Sequence, residues 1–140
     1  MVHYLQTSTI SVDTALELVR LGIAKGAEDG VAAVVTVMDP SLLMVAFGKA
    51  DGATPHSIET SRRKALSSAS TRRSTGWMQG DFPTQAALGT GTLLTNILGG
   101  VPVSFAGKHV GGLGIAGGTP DQDAALAAVV IEAIGADRLI

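Results

Sequence analysis

Cysteine is absent from the 140-residue chain. That excludes disulfide staples, a thiolate nucleophile and any cysteine-ligated zinc or iron–sulfur centre, and it suits a reducing compartment, so a cytoplasmic protein is expected. Aromatic residues make up only 4%, so the core must be built from Val, Leu, Ile and Ala. An excess of positive charge is missing too: 10 Lys and Arg stand against 12 Asp and Glu, for a formal net charge of −2. Without a broad basic field, nucleic acid is excluded as the main partner. The longest apolar run, Val31 to Met38, is far too short to cross a bilayer. The opening MVHYLQTSTISVD has no basic region followed by an apolar stretch, so neither a secretory leader nor a membrane partner is expected.

What is present is a chain that is 46% hydrophobic and 16% charged, which marks a globular protein long enough for one domain spanning 1–140. Residues 11–29 repeat Val12, Leu16, Val19 and Ile23 at helical spacing behind a Ser11 cap. Two strand-length runs, 31–38 and 42–49, flank Asp39-Pro40-Ser41 and read as a β-hairpin. Thr54 and Pro55 open a helix over 55–72 with Ile58, Ala65, Leu66 and Ala69 on one face. Residues 73–99 have no clean period and read as loops with a helical turn or two. A second hairpin covers 100–117 with a Gly107-Lys108 turn, and Pro102, which cannot donate to a ladder, belongs at a sheet edge or among the first residues of its strand. A final helix, 119–134, is expected to bury Leu126, Val129, Val130, Ala133 and Ile134. Hairpins imply an antiparallel sheet and the helices must cover it, so the class is α+β in three layers.

The glycine-rich stretch GGLGIAGGTPDQDA, 111–124, raises a phosphate cradle as one reading and a strand, turn and capped helix as the other. Thr119-Pro120-Asp121-Gln122 has a capping-box pattern with proline at the first helical position. Asp121 and Asp123 would repel a phosphate there, and no Walker lysine–serine pair or full dinucleotide pattern is present. Gly112 and Gly114 share a strand face with Val110 and Ala116, and a face without side chains admits a helix or a ligand closely.

Two blocks resemble a known family. GGVPVSFAGKHVGGLGIAGGTPDQDAALA is similar to the C-terminal signature of the GlcG/HbpS-like family, which includes haem-binding HbpS-like proteins and the C-terminal domain of some PduO-type proteins. VTVMDPSLLMVAFGKADGATPHSIETSRRKALSSAS resembles its D-x-x-G-x-L-x-x-x-R-x-D-G-A stretch and the S…KA-x-[ST]-A that follows. Lys49 stands where the family pattern has arginine, and Pro40-Ser41 displaces its glycine. The resemblance implies a profilin-like α/β/α fold with about five antiparallel strands, homo-oligomers that are dimer-based and reach octamers, and haem or another tetrapyrrole as ligand. For some members it implies an enzymatic role in small-molecule degradation.

The polar residues that could carry such chemistry cluster near ADGATPH. His56, Glu59 or Thr60, and Arg63 fall at i, i+3/i+4 and i+7 on the second helix. They suit acid/base work by His56 and Glu59, with Arg63 as an anion clamp, or an ordinary ion pair on a solvated face. The ligand-binding set is Lys49, Asp51, His56, Arg63 and Lys64, beside the glycine face. Lys64 is either a structural lysine paired with a carboxylate, Asp123 being one candidate, or a clamp for a substrate carboxylate or haem propionate. For haem iron the possible ligands are His3, His56, His109, Met38, Met44 and Met78, with His56 preferred. His109 is expected exposed on a hairpin turn and His3 at a frayed terminus, and no zinc constellation is apparent. Trp77 and Met78 read as a core anchor, a pocket wall or an oligomer contact. The leading functional reading is an oligomeric binder of haem or another anionic small ligand. Its alternatives are a cofactor-independent lyase, isomerase or deaminase acting on a small carboxylate, and a purely structural or regulatory oligomer.

Overall fold

The computed structural model describes residues 1–140. Its elements are α1 (Val12–Glu28), β1 (Val34–Met38), β2 (Met44–Lys49), α2 (Ser57–Thr71), α3 (Phe82–Gly89), β3 (Gly100–Phe105), β4 (Lys108–Ala116) and α4 (Pro120–Ile134). The four strands form one antiparallel sheet in the order β2-β1-β4-β3. Both hairpins form where the sequence places them, and β1 joins them by pairing with β4. No helix is long and apolar enough to cross a membrane.

The fold is α+β in three layers. α1 and α4 pack together on one sheet face, and α2 packs on β4, β1 and β3 on the other. The resemblance implied about five strands; the chain forms four and adds single backbone bonds beyond them. Ile10 N–H donates to Val110 and Asp137 N–H donates to Ser104 on β3, the edge strand that also carries Pro102.

One core fills the α1/α4 side, with Leu18, Val35, Val37, Leu113, Ile115, Leu126 and Val130 all buried. Two expected helix faces are turned. α1 buries Ala15, Leu18, Val19, Gly22 and Gly26 and leaves Val12 and Leu16 exposed. Glycine and alanine make this stripe, letting α1 lie close on the sheet, and hydropathy spacing does not register them. α4 buries Asp123, Leu126, Ala127, Val130 and Ile131, while Val129 and Ala133 face solvent. Its face is set by Asp123, a charged residue at the head of an apolar stripe.

The other sheet face is built from small residues. A Cβ on Gly114 would lie 2.0 Å from the Ser61 carbonyl oxygen, and one on Gly112 would lie 2.4 Å from that of Ala65. Helix α2 therefore sits directly on the backbone of β4. The glycine face is covered by a helix and is not open to a ligand. Val110 is not on it: a bulge opposite Val103 and Ser104 turns Val110 into the α1/α4 core. The TPDQ segment forms the reciprocal capping box, with Gln122 N–H on Thr119 Oγ1 at 3.2 Å and Thr119 N–H on Gln122 Oε1 at 2.9 Å.

Candidate functional site

Strand β2 ends at Lys49, and a tight turn over 50–53 leads into α2. Pro55 and His56 form a preceding turn, so the helix starts at Ser57, later than the Thr54-Pro55 pattern suggests. His56 is the N-cap residue but has αR backbone angles and no capping bond from its side chain. The Thr54 and Ser57 hydroxyls bond each other instead, at 2.6 Å.

The expected residues divide into two groups. Lys49, Asp51 and His56 are exposed and none makes an ion pair. Glu59 and Arg63 follow on α2, half-buried and already engaged. Arg63 Nε donates to Glu59 at 2.9 Å and Nη1 to the Thr92 carbonyl at 2.8 Å, pinning the 90–95 segment to the helix. Arg62 Nε also donates to Glu59, at 3.0 Å. The Arg62 hydrogen bonds, then those of Arg63, hold the Glu59 carboxyl down at about 2 against the opposing effect of partial burial. A carboxylate that weakly basic has little driving force for proton transfer at neutral pH, so its present role is to anchor two guanidiniums.

Lys64 does not join the exposed set. It is 1% exposed, and its ammonium donates to Asp123 at 3.0 Å and to the Ile115 carbonyl at 2.8 Å. Asp123 also accepts from Gly118 N–H at 2.9 Å. Burial lowers the Lys64 pKa and Asp123 opposes that shift. With α2 lying on bare β4 backbone, Lys64 has no route to solvent and ties the central helix to the start of α4. Of the two sequence-level readings of Lys64, the geometry is that of the structural pair.

β2 is an edge strand; α1 packs on one of its faces, while α2 packs on β4, β1 and β3 and leaves the other face of β2 uncovered. Phe47 pairs with Thr36, whose hydroxyl bonds Ser61 of α2 at 2.8 Å, so the open part of β2 runs beside the first turns of α2. Phe47 is 38% exposed and Ile58 40%. Phe47 and Lys49 alternate onto one strand face. Exposed Phe47 and Lys49 thus share the uncovered face of β2, and exposed Ile58 follows His56 by two residues at the start of α2.

A second constellation was missed by the sequence reading. His109 is not solvated: its Nε2 is 2.8 Å from the Ala69 carbonyl, and its Nδ1 is buried without a partner. A carbonyl only accepts, so Nε2 carries the hydrogen. Burial lowers the His109 pKa, and nearby Arg72 lowers it further. His109 lines a cleft of about 760 Å³ with Arg72, Arg73, Trp77 and Arg138. Trp77 is partly exposed and stacked under Arg73 at 4.4 Å, whereas Met78 is buried. No sequence spacing links residues 72–77, 109 and 138; only the sheet brings them together. No three His, Asp or Glu side chains cluster as metal ligands.

The layers, the bare β4 face and the buried Lys64–Asp123 pair define a small α+β protein that exposes its edge strand β2. The chain belongs to the HbpS-like family: residues 10–132 match the model described as "Haem degrading protein HbpS-like". It is 30% identical over 133 residues to an uncharacterized 15.0 kDa protein of the dhaT-dhaS intergenic region of Citrobacter freundii, covering 91% of this chain and 93% of that one. Among solved structures it is similar to Klebsiella pneumoniae protein ORFY, at 25% identity and a TM-score of 0.87 over 96% of this chain and 97% of that one. It shares its fold with PduOC, solved as a haem complex, at 20% identity and a TM-score of 0.82 over 94% and 99% of the two chains.

Proposed function

We propose that this protein binds a planar, carboxylate-bearing small molecule of the haem or tetrapyrrole kind on the open face between β2 and the start of α2. The observation that carries this reading is the uncovered sheet edge, where exposed Phe47 and Ile58 lie beside two groups with no partner, Lys49 and His56. Apolar surface suits a flat ring, and burying it is worth about 25 cal/mol per Å². Lys49 would hold one carboxylate, and Arg63 has Nη2 left over from its contacts with Glu59 and Thr92 to help with another. Asp51 would add an acceptor on the same rim, and His56 would be the imidazole that ligates iron. A bound haem would supply redox and oxygen chemistry; the chain's own part is to hold and orient it. The family description and the haem-bound relative PduOC support the same class of ligand.

Exposed Leu43 and Met44 at the tip of the β1–β2 hairpin support assembly into a dimer-based homo-oligomer, up to the octamers implied by the resemblance. Sedimentation velocity reads that state directly.

The binding test is a hemin titration followed in the Soret band. Saturable binding near one hemin per chain is expected, with His56→Ala shifting the band and Lys49→Ala weakening binding about tenfold, the loss of roughly one charge-assisted contact. No Soret change in the wild type, or an unaltered spectrum in His56→Ala, overturns the site.

A further inference from the structure

We propose that the cleft between the end of α2, the β3–β4 hairpin and the C-terminal segment is a separate binding site for a small, multiply charged oxyanion, held by Arg72, Arg73 and Arg138 with His109 and Trp77 in its wall. The three guanidiniums meet in one cleft on a chain whose net charge is −2. None is in an ion pair; the chain's pairs involve Arg20, Arg62, Arg63 and Lys64 only. The one side-chain carboxylate lining the cleft, Asp137, is committed to the N–H groups of Ala106 and Gly107, at 3.1 and 2.7 Å. Those bonds hold the hairpin turn, where Ala106 is forced to a φ of 51°. The dipole of α2 favours cations at its C-terminal end, where Arg72 is the C-cap residue and Arg73 follows. It does not account for Arg138, which arrives from the far end of the chain. Stacking on Trp77 fixes the Arg73 guanidinium in place before any ligand arrives.

The imidazole of His109 gives the site a pH signature. Its Nδ1 is buried, so a bound oxyanion acts on a protonated His109 through charge, offsetting the imidazolium in the cleft wall. The charged groups around it are Arg72 and Arg73 just past α2, Lys108 beside it on β4, and Asp137 and Arg138 from the C-terminal segment. Of all these side chains only the imidazole ordinarily titrates between pH 5 and 8. Binding therefore takes up a proton, and affinity rises as pH falls.

The test is calorimetry on the intact protein with pyrophosphate and with citrate, at pH 5.5, 6.5 and 7.5 and constant ionic strength. At least one probe is expected to bind. Tighter pyrophosphate assigns a phosphate ester as ligand and tighter citrate a polycarboxylate. Arg73→Ala and Arg138→Ala, both at exposed positions, should each weaken binding about tenfold or more. Arg20→Ala, in a surface pair elsewhere, should leave it unchanged, and His109→Gln should remove the protein's share of the pH dependence, leaving only that of the probe's own titration. Absence of binding by both probes at millimolar concentration, or an equal loss in Arg20→Ala, overturns the site. Displacement of bound hemin by pyrophosphate overturns its separateness from the β2 face.

Discussion

Replacing Lys64 by methionine keeps the aliphatic stem and removes the ammonium. Asp123, with a side chain only 3% exposed, is left with Gly118 N–H as its remaining donor, and the Ile115 carbonyl loses its Nζ contact. Removing one partner of a buried pair costs about 3–5 kcal/mol, because the surviving charge keeps its desolvation penalty without compensation. Total stability for a domain of this kind is about 5–15 kcal/mol, so about a fifth of it or more is at stake. At roughly 2–4 °C per kcal/mol the midpoint should fall by about 6–20 °C. Lys64→Met/Asp123→Asn removes both charges and keeps an acceptor for Gly118, so it should recover about half of the loss or more. Urea unfolding of wild type, both single variants and the double variant at pH 5 and 7.5 gives the full cycle. A Lys64→Met variant within about 1 kcal/mol of wild type, or a double variant no better than the single one, refutes the reading of this pair as a buried structural lock.

Three further outcomes follow from the packing. Gly114→Ala would place a methyl 2.0 Å from a backbone carbonyl and 2.6 Å from the Ala65 nitrogen; no rotamer relieves that, so a loss well above about 3 kcal/mol is expected, and an unchanged urea midpoint contradicts the close approach of α2. Glu59→Gln should cost no more than about 1 kcal/mol because the pair is solvent-screened. Since the Glu59 pKa lies below its ordinary 4.5, at about 2, the wild-type advantage should be complete above pH 4.5 and vanish as pH falls toward 2; an advantage that survives at pH 2 contradicts the assignment. Thr119→Ala should cost about 1 kcal/mol through loss of the capping box, read as a lowered thermal midpoint, and no change at all contradicts it.

The legible parts of this fold were those in which local chemistry decides structure. Two hairpins announced themselves by strand-length apolar runs around turn residues, and the TPDQ cap follows from bonds made within four residues. The same cap removes the phosphate-loop reading of the glycine stretch, whose glycines instead let α2 lie on β4. The helix faces were misread where buried residues are glycine, alanine or charged, since hydropathy spacing credits none of them. Asp123 is the clearest case: it turns α4 by its bond to Lys64, a partner 59 positions earlier. The cluster around ADGATPH was legible as a loop entering a helix, although Glu59 and Arg63 prove to be engaged with each other and with Thr92. The His109 cleft was illegible because its residues converge only when β3, β4 and the C-terminal segment are side by side.

The central claim is that the open β2 face, with His56 at its edge, receives a planar iron-bearing ligand. Titrating ferric hemin into isotope-labelled protein and recording amide broadening tests it residue by residue, because the paramagnetic iron erases signals near it. The account predicts early loss at Phe47, Lys49, His56 and Ile58 with the His109 cleft unaffected. Broadening centred on Arg73, His109 and Arg138, or spread evenly over the chain, would contradict it.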